Sequence, residues 1–106
     1  MEHIVEKTLL FDFYGDLLTD HRKEIYEAVV FNDMSLSEAA AEFDISRQGI
    51  HDLIRRCDEA MSGYEEKLHM ISRYTALKEK LRKLSGLALP EEARRLIGSM
   101  EEDLDS

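Results

Sequence analysis

The stretch Ser35–Met61, SLSEAAAEFDISRQGIHDLIRRCDEAM, decides which fold this chain can adopt. Ser35 and Glu38 form a Ser-x-x-Glu pattern, in which each side chain accepts a hydrogen bond from the other residue's backbone N–H at a helix start. Apolar residues then recur at helical spacing, at Leu36, Ala39, Ala40 and Phe43. Phe43–Ile45 is long enough only for a tight turn, and Ser46 can cap a second helix. Two helices joined so closely predict a helix-turn-helix.

The second helix of this motif has two different faces. Its apolar face comprises Ile50, Leu53, Ile54, Cys57 and Met61. Its polar face carries the candidate nucleic-acid contacts, which are Arg47, Gln48, His51, Arg55 and Arg56. On DNA, the first three would reach base edges and the two later arginines would face phosphates. Two alternatives stay open: the motif is an ordinary helical hairpin, or Asp52 pairs with Arg55 or Arg56 on a solvated face.

The charge of the chain is unusual for a nucleic-acid-binding protein. Its 106 residues carry a net charge of −9, whereas phosphate contacts usually require a basic surface. Residues 46–56 hold three arginines and one aspartate, a net charge of +2, while residues 1–45 hold a net charge of −8. The motif's second helix is therefore a small basic island.

The segments before the motif also predict helices. Residues 3–14 are apolar on more than one face, which indicates a buried helix or one that packs on a second chain. Thr19 can cap a helix from Asp20 to about Phe31. Only one proline and five glycines interrupt the chain. The composition therefore predicts an all-α fold.

An apolar stripe continues far beyond the motif. It runs from Ile50 to Leu84 at spacings of three or four residues, which predicts one continuous or bent helix through Gly63. We expect the extension to pack or to form a homodimer, through Leu68, Ile71, Leu77, Leu81 and Leu84. Ser85-Gly86 would end this helix, and Pro90 would open a last helix over residues 90–102. The acidic tail from Glu101 would fray.

The sequence offers no support for catalysis. The four histidines lack a second ligand at metal spacing, and the single cysteine, Cys57, lies in the apolar series. We therefore expect a non-enzymatic protein with no metal and no cofactor. No apolar run is long enough to insert into a membrane, and the first seven residues show no signal-peptide pattern. These features predict a cytoplasmic protein.

Several motifs carry a resemblance to known families. The segments Leu18–Arg22, Ser35–Ala40 and Ile45–Ile50 resemble region 4 of bacterial sigma factors. The wider set of Leu10–Tyr14, Asp52–Arg56 and Tyr64–Leu68 resembles the YlxM family over nearly the whole chain. This resemblance implies a sigma region 4-like helix-turn-helix, over residues 1–62 with the motif at 35–61, and a helical extension over residues 63–106.

The resemblance also implies a function. YlxM proteins are encoded beside the signal recognition particle GTPase Ffh and its receptor FtsY, which suggests a regulatory or accessory role in that pathway. The partners would then be nucleic acid, either DNA or signal recognition particle RNA, or a protein such as Ffh. The alternative is a sequence-specific DNA-binding transcriptional regulator unrelated to the particle.

Overall fold

The chain is all-α, as the sequence predicts. The computed structural model describes residues 2–106, and their side chains from Ile4 onward. Within that range there are six α-helices and no strand. The helices are α1 (Glu2–Tyr14), α2 (Asp20–Tyr26), α3 (Leu36–Phe43), α4 (Arg47–Leu68), α5 (Met70–Ser85) and α6 (Glu91–Asp105). The chain divides into two compact units, one ending at Leu68 and the other formed by His69–Ser106.

The predicted caps are present at three helix starts of the first unit. The Thr19 hydroxyl accepts a hydrogen bond from the Arg22 backbone N–H at α2. At α3 both bonds of the Ser-x-x-Glu pattern form, from Glu38 N–H to Ser35 Oγ at 3.0 Å and from Ser35 N–H to Glu38 Oε1 at 3.1 Å. Ser46 Oγ accepts from the backbone N–H at position 49. Each cap satisfies a donor that the helix leaves unpaired.

The helix predicted from Asp20 to about Phe31 has two parts. A short 3₁₀ turn, Gly15–Leu17, precedes its cap. Its α-helical part ends at Tyr26, and Glu27–Phe31 continues as a π-helix. The backbone N–H of Asn32 bonds to the carbonyl of Glu27, five residues earlier, at 3.0 Å. Such wider turns are rare and cannot be predicted from apolar spacing.

The helix-turn-helix core lies between α2, α3 and α4. One fully buried residue from each helix forms its centre, namely Ile25, Ala39 and Ile50. Ala39 is small, and this lets α3 approach its neighbours closely. The turn between α3 and α4 places Asp44 in the left-handed region at φ 54°. Partly buried Phe43 and Ile45, on either side of that turn, pack against the core.

Helix α1 packs on α4 and α2 through an aromatic and a polar contact. The Phe11 ring stacks on the Tyr26 ring, with centroids 5.4 Å apart and planes 8° apart. The buried Tyr26 hydroxyl donates to Asp58 Oδ1 at 2.5 Å, and Lys7 Nζ lies 3.2 Å from Asp58 Oδ2. The carboxylate of Asp58 therefore links α4 to both other helices.

The long helix passes through Gly63, as predicted, but does not reach Leu84. It ends at Leu68, because His69 takes the left-handed conformation at φ 55° and ψ 29°. A new helix, α5, begins at Met70, and the Arg73 N–H bonds to the His69 carbonyl. The prediction of one helix was wrong because the stripe of apolar residues keeps its spacing across a backbone break. Histidine is only one of several residue types enriched in this conformation.

The second unit is a hairpin of α5 and α6. Leu81 and Ile97 are its buried apolar side chains. Gly86 follows α5 as predicted, although at φ −79° it does not adopt the left-handed form of a glycine cap. Pro90 is the N-cap residue of α6, whereas the sequence predicted it as the first helical residue. The Arg94 guanidinium donates to the Leu87 carbonyl at 2.8 Å and bridges the connection.

The acidic tail is helical to Asp105, so the prediction that it frays was wrong. The Asp105 carboxylate accepts hydrogen bonds from the Tyr74 hydroxyl at 2.6 Å and from Lys78 Nζ at 2.9 Å. These bonds, first the one from Tyr74, hold the pKa of Asp105 below its ordinary value. An anchor 27 residues away along the chain is invisible to local propensity.

Candidate nucleic-acid interface

The candidate interface is the exposed polar face at the start of α4. Arg47, Gln48 and His51 are all exposed there, and together with Leu36 of α3 they line an open cleft of about 390 Å³. Ser46 caps the helix immediately before them. A helix N-terminus with arginine and glutamine side chains can offer donors and acceptors to base edges.

The position of Gly49 shapes this face. A Cβ atom at residue 49 would lie 2.6 Å from Ile45 Cγ2 and 3.0 Å from Ser46 Oγ. Glycine therefore lets the turn fold tightly against the first turn of α4, and Ile45 packs against the core. Gln48 and His51 are exposed and line the cleft at the start of α4, whereas Gly49 borders a different cleft.

The Asp52 carboxylate lies close to several of the candidate nucleic-acid-binding side chains. Gln48 Nε2 donates to Asp52 Oδ1 at 3.1 Å, and His51 Nδ1 lies 3.8 Å from the same oxygen. Arg55 lies 3.9 Å from Asp52 and donates to Glu59 at 3.1 Å. Arg55 therefore makes the pair with Asp52 that the alternative expects, and within the described residues Arg56 makes none. Exposed pairs of this kind contribute only about 0–1 kcal/mol, so a phosphate could displace them.

Two of the predicted arginines remain available. Within the part of the chain that the structure describes, neither Arg47 nor Arg56 makes an ion pair or a side-chain hydrogen bond. Arg56 lines a second open cleft, together with Arg22 of α2. Arg22 is not among the predicted nucleic-acid contacts and lies in the strongly acidic first 45 residues. In the sequence it belongs to the Leu18–Arg22 segment that resembles sigma region 4, and to the short polar run His21-Arg22-Lys23.

Other reactive groups of the first unit are engaged or buried. Cys57 is fully buried, and burial raises the pKa of its thiol, which favours the predicted role of a small apolar residue. The Asp16 carboxylate forms an ion pair with Lys23. Among the described residues no cluster of His, Cys, Asp or Glu is arranged to hold a metal ion.

The five predicted packing residues fall into different environments. Leu81 is 3% exposed, whereas Leu77 and Leu84 are 44% and 38% exposed on α5. Ile71 is partly buried, and Leu68 is exposed at the end of α4. Leu77 and Leu84 are seven residues apart and so share one helix face. The structure therefore separates an inward position from an outward pair that the stripe alone did not distinguish.

The geometry of capped α3, tight turn and polar α4 agrees with comparisons to known proteins. A family model described as “Putative helix-turn-helix protein, YlxM / p13 like” matches residues 1–98. The chain belongs to this YlxM/p13-like family. The resemblance to the YlxM family is thereby confirmed.

Relatives within the family cover most of the chain. A UPF0122 protein of Caldanaerobacter subterraneus is 44% identical over 77 residues, which is 73% of this chain and 66% of the relative. UPF0122 protein YofM of Lactococcus lactis is 43% identical over 76% of each chain. A UPF0122 protein of Bacillus pumilus is 38% identical over 95% of this chain and 96% of its own length. The similarity thus spans both compact units.

The family points to nucleic-acid binding in a regulatory role rather than to catalysis. No described helix is both long enough and apolar enough to cross a bilayer.

Proposed function

We propose that this chain is a non-enzymatic, cytoplasmic regulatory or accessory protein that binds nucleic acid through the start of α4. The observation that carries the proposal is the exposed group of Arg47, Gln48 and His51 at the capped N-terminus of the motif's second helix. We expect Arg47, Gln48 and His51 to contact bases, and Arg55 and Arg56 to contact phosphates. Family membership supports the motif itself.

Binding would rearrange the polar face. Gln48 and Arg55 share Asp52 in the free protein, and a nucleic acid would replace these exposed contacts with its own acceptors. Each broken pair costs little, because water already screens it. Asp52 would also repel a phosphate placed directly beside it. We therefore infer that the bound phosphates lie closer to the guanidinium groups of Arg55 and Arg56 than to the carboxylate of Asp52.

We further propose that the physiological setting is the signal recognition particle pathway. The resemblance to YlxM proteins, encoded beside Ffh and FtsY, is the support for this assignment. The net charge of −9 adds a physical argument, because it disfavours long tracts of phosphate contacts on duplex DNA. A small basic island suits a short RNA segment that Ffh presents, and the acidic remainder suits a basic protein partner such as Ffh.

The alternative, a sequence-specific DNA-binding regulator, is favoured by one feature. Arginine and glutamine are adjacent at the tip of α4, and these are residue types that form bidentate contacts with guanine and adenine. A regulator would bind one DNA sequence far more tightly than others, whereas an accessory protein of the particle would not.

One experiment compares these targets directly. Fluorescence anisotropy of the full chain would use labelled signal recognition particle RNA, mixed-sequence duplex DNA and Ffh in parallel, between about 50 and 200 mM salt. We expect RNA or Ffh to bind more tightly than DNA, and Arg47→Ala to weaken RNA binding about tenfold. Arg73→Ala, an exposed arginine of α5, is the matched control. Tight binding of DNA alone, with one sequence selected from the mixed pool over the others, would support the regulator, and binding of none of the three would refute the proposal.

We also propose that the second unit forms a homodimer. Leu77 and Leu84 on α5, and Leu96 and Met100 on α6, are large apolar side chains that are 38–62% exposed. Leu96 and Met100 are four residues apart and share a face of α6. Apolar side chains that recur on one face of a helix indicate an interaction surface rather than scattered exposure.

Light scattering tests the dimer. The double change Leu77→Asp and Leu84→Asp places charge on exposed positions, so the hairpin should stay folded while the mass falls to that of a monomer. Lys80→Asp, an exposed position on the same helix, is the control. Leu81→Asp does not test the dimer, because a charge at this buried position would unfold the hairpin itself. An unchanged mass for the double variant would refute the dimer.

A further inference from the structure

A second cleft of the first unit is lined by two arginines from different helices. Arg22 of α2 and Arg56 of α4 both border an open cleft of about 280 Å³. The remaining lining residues are Gly49, Asp52 and Leu53. Among the side chains that the structure describes, neither guanidinium has an acidic partner, although other cations nearby do. Lys23, next to Arg22, binds Asp16, and Arg55, next to Arg56, binds Glu59.

The charges around this cleft favour an anion. Arg22 and Arg56 are both exposed, and Asp52 is the only acidic residue lining the cleft. The Oδ1 atom of Asp52 accepts a hydrogen bond from Gln48 and lies 3.8 Å from His51, so its charge is shared among several neighbours. An incoming anion would therefore meet two positive charges and one carboxylate that already has partners.

The floor of the cleft gives an anion room to approach. Gly49 contributes no side chain, and Leu53 is partly buried in the core. Above this floor the two arginines offer planar donor groups, which match the oxygens of a phosphate in a paired geometry. Arg56 lies nine residues after Arg47, which is about 13 Å along α4. Nine residues are also two and a half turns, so Arg56 lies half a turn around α4 from Arg47, and a nucleic-acid strand that contacts both must cross over the helix.

We propose that Arg22 and Arg56 form a clamp for one phosphodiester group of the nucleic acid that the tip of α4 contacts. This inference rests on the proposed nucleic-acid binding and adds Arg22, from the helix before the motif, to its interface. The clamp contacts the backbone and not the bases. It therefore contributes affinity and orientation but no sequence preference.

The test measures binding of the full chain to signal recognition particle RNA and to duplex DNA over a range of salt. Arg22→Gln should weaken the binding of RNA or DNA, whichever the unmodified chain binds, by about tenfold. It should also reduce the slope of log affinity against log salt by about one, which corresponds to the loss of one phosphate contact. Lys23→Gln removes the same charge one residue away, from a lysine already neutralised by Asp16. It should leave the affinity within about twofold, since an exposed pair contributes little.

A double-variant cycle tests whether both arginines hold the same phosphate. Arg22→Gln and Arg56→Gln together should lose less binding free energy than the sum of the two single variants. The first substitution already releases the phosphate that both arginines hold. Arg22→Lys keeps the charge but not the paired donors, and should give an intermediate loss. Folding is checked by circular dichroism, and the α2 cap should survive because Thr19 bonds to the backbone N–H of Arg22.

The outcomes separate the clamp from the wider proposal. If Arg47→Ala weakens binding while Arg22→Gln behaves like Lys23→Gln, the clamp is wrong and nucleic-acid binding stands. If the unmodified chain binds neither nucleic acid at low salt, both are wrong. A last measurement titrates inorganic phosphate into the full chain and follows its binding by NMR of the arginine side chains. Tight binding of free phosphate that persists in competition with nucleic acid would also overturn the clamp.

Discussion

Two glycines of α4 should respond in opposite directions to the same substitution. A Cβ atom at Gly63 would meet no atom within 4 Å, whereas one at Gly49 would lie 2.6 Å from Ile45 Cγ2. In a helix interior alanine is favoured over glycine by about 1 kcal/mol, mainly because glycine has more freedom to lose. Gly63→Ala should therefore raise the free energy of unfolding by about 0.5–1 kcal/mol.

At the other glycine, Gly49→Ala should lower the free energy of unfolding. Overpacking of a tight site costs about 1–3 kcal/mol, which exceeds the gain of less than about 1 kcal/mol from helix propensity in the first turn. Ile45 cannot easily move its Cγ2 methyl away, because its side chain is branched at Cβ and restricted at χ1, and because the residue packs against the core. Ile45→Leu removes that methyl from Cβ and should partly rescue Gly49→Ala in a double-variant cycle.

Urea and thermal unfolding monitored by circular dichroism at equal protein concentration provide the measurement. Gly63→Ala should raise the midpoint temperature by about 2–6 °C for a unit of this size. Gly98→Ala is a useful companion, because a Cβ atom at Gly98 in α6 also meets nothing within 4 Å. If Gly49→Ala stabilised the chain as much as Gly63→Ala, the steric account of the turn would be refuted.

Three further predictions concern polar contacts. Hydrogen bonds from the Ser35 backbone N–H and then its hydroxyl hold the pKa of Glu38 below its ordinary value. The stability that Glu38 adds is therefore fully present above the ordinary pKa of a glutamate, and is lost as pH falls through the lowered pKa. The stability difference between the unmodified chain and Glu38→Gln should shrink accordingly in acid. Tyr26→Phe should cost about 1.5–3 kcal/mol in urea unfolding, because Asp58 loses a buried donor. Asp105→Asn should speed amide hydrogen exchange in the last turn of α6, which this carboxylate anchors.

Each of these predictions has an outcome that contradicts it. A pH-independent difference for Glu38→Gln would mean that the capping carboxylate does not titrate with folding. An unfolding free energy unchanged in Tyr26→Phe would show that water replaces the phenol at no cost. For the tail, Asp103→Asn removes the same type of charge from a carboxylate that makes no described contact with α5, and equal acceleration in both variants would exclude a specific role for Asp105.

Local signals in the sequence were sufficient for the elements that depend on neighbouring residues. The capping residues Thr19, Ser35 and Ser46 act on N–H groups within three positions, so their patterns identified helix starts correctly. The apolar spacing of Ile50, Leu53 and Ile54 correctly gave the buried face of α4 for the same reason. The motif and its exposed polar face could therefore be predicted before any tertiary contact was known.

The tertiary structure decided the features that depend on distant residues. The break at His69 does not disturb the spacing of apolar side chains, and the helical tail depends on Tyr74 and Lys78. Likewise, only folding brings Arg22 to the cleft of Arg56, 34 positions away in the sequence. Periodicity reports which side of a helix is apolar. It does not report where the backbone turns, or which charged side chains two packed helices bring together.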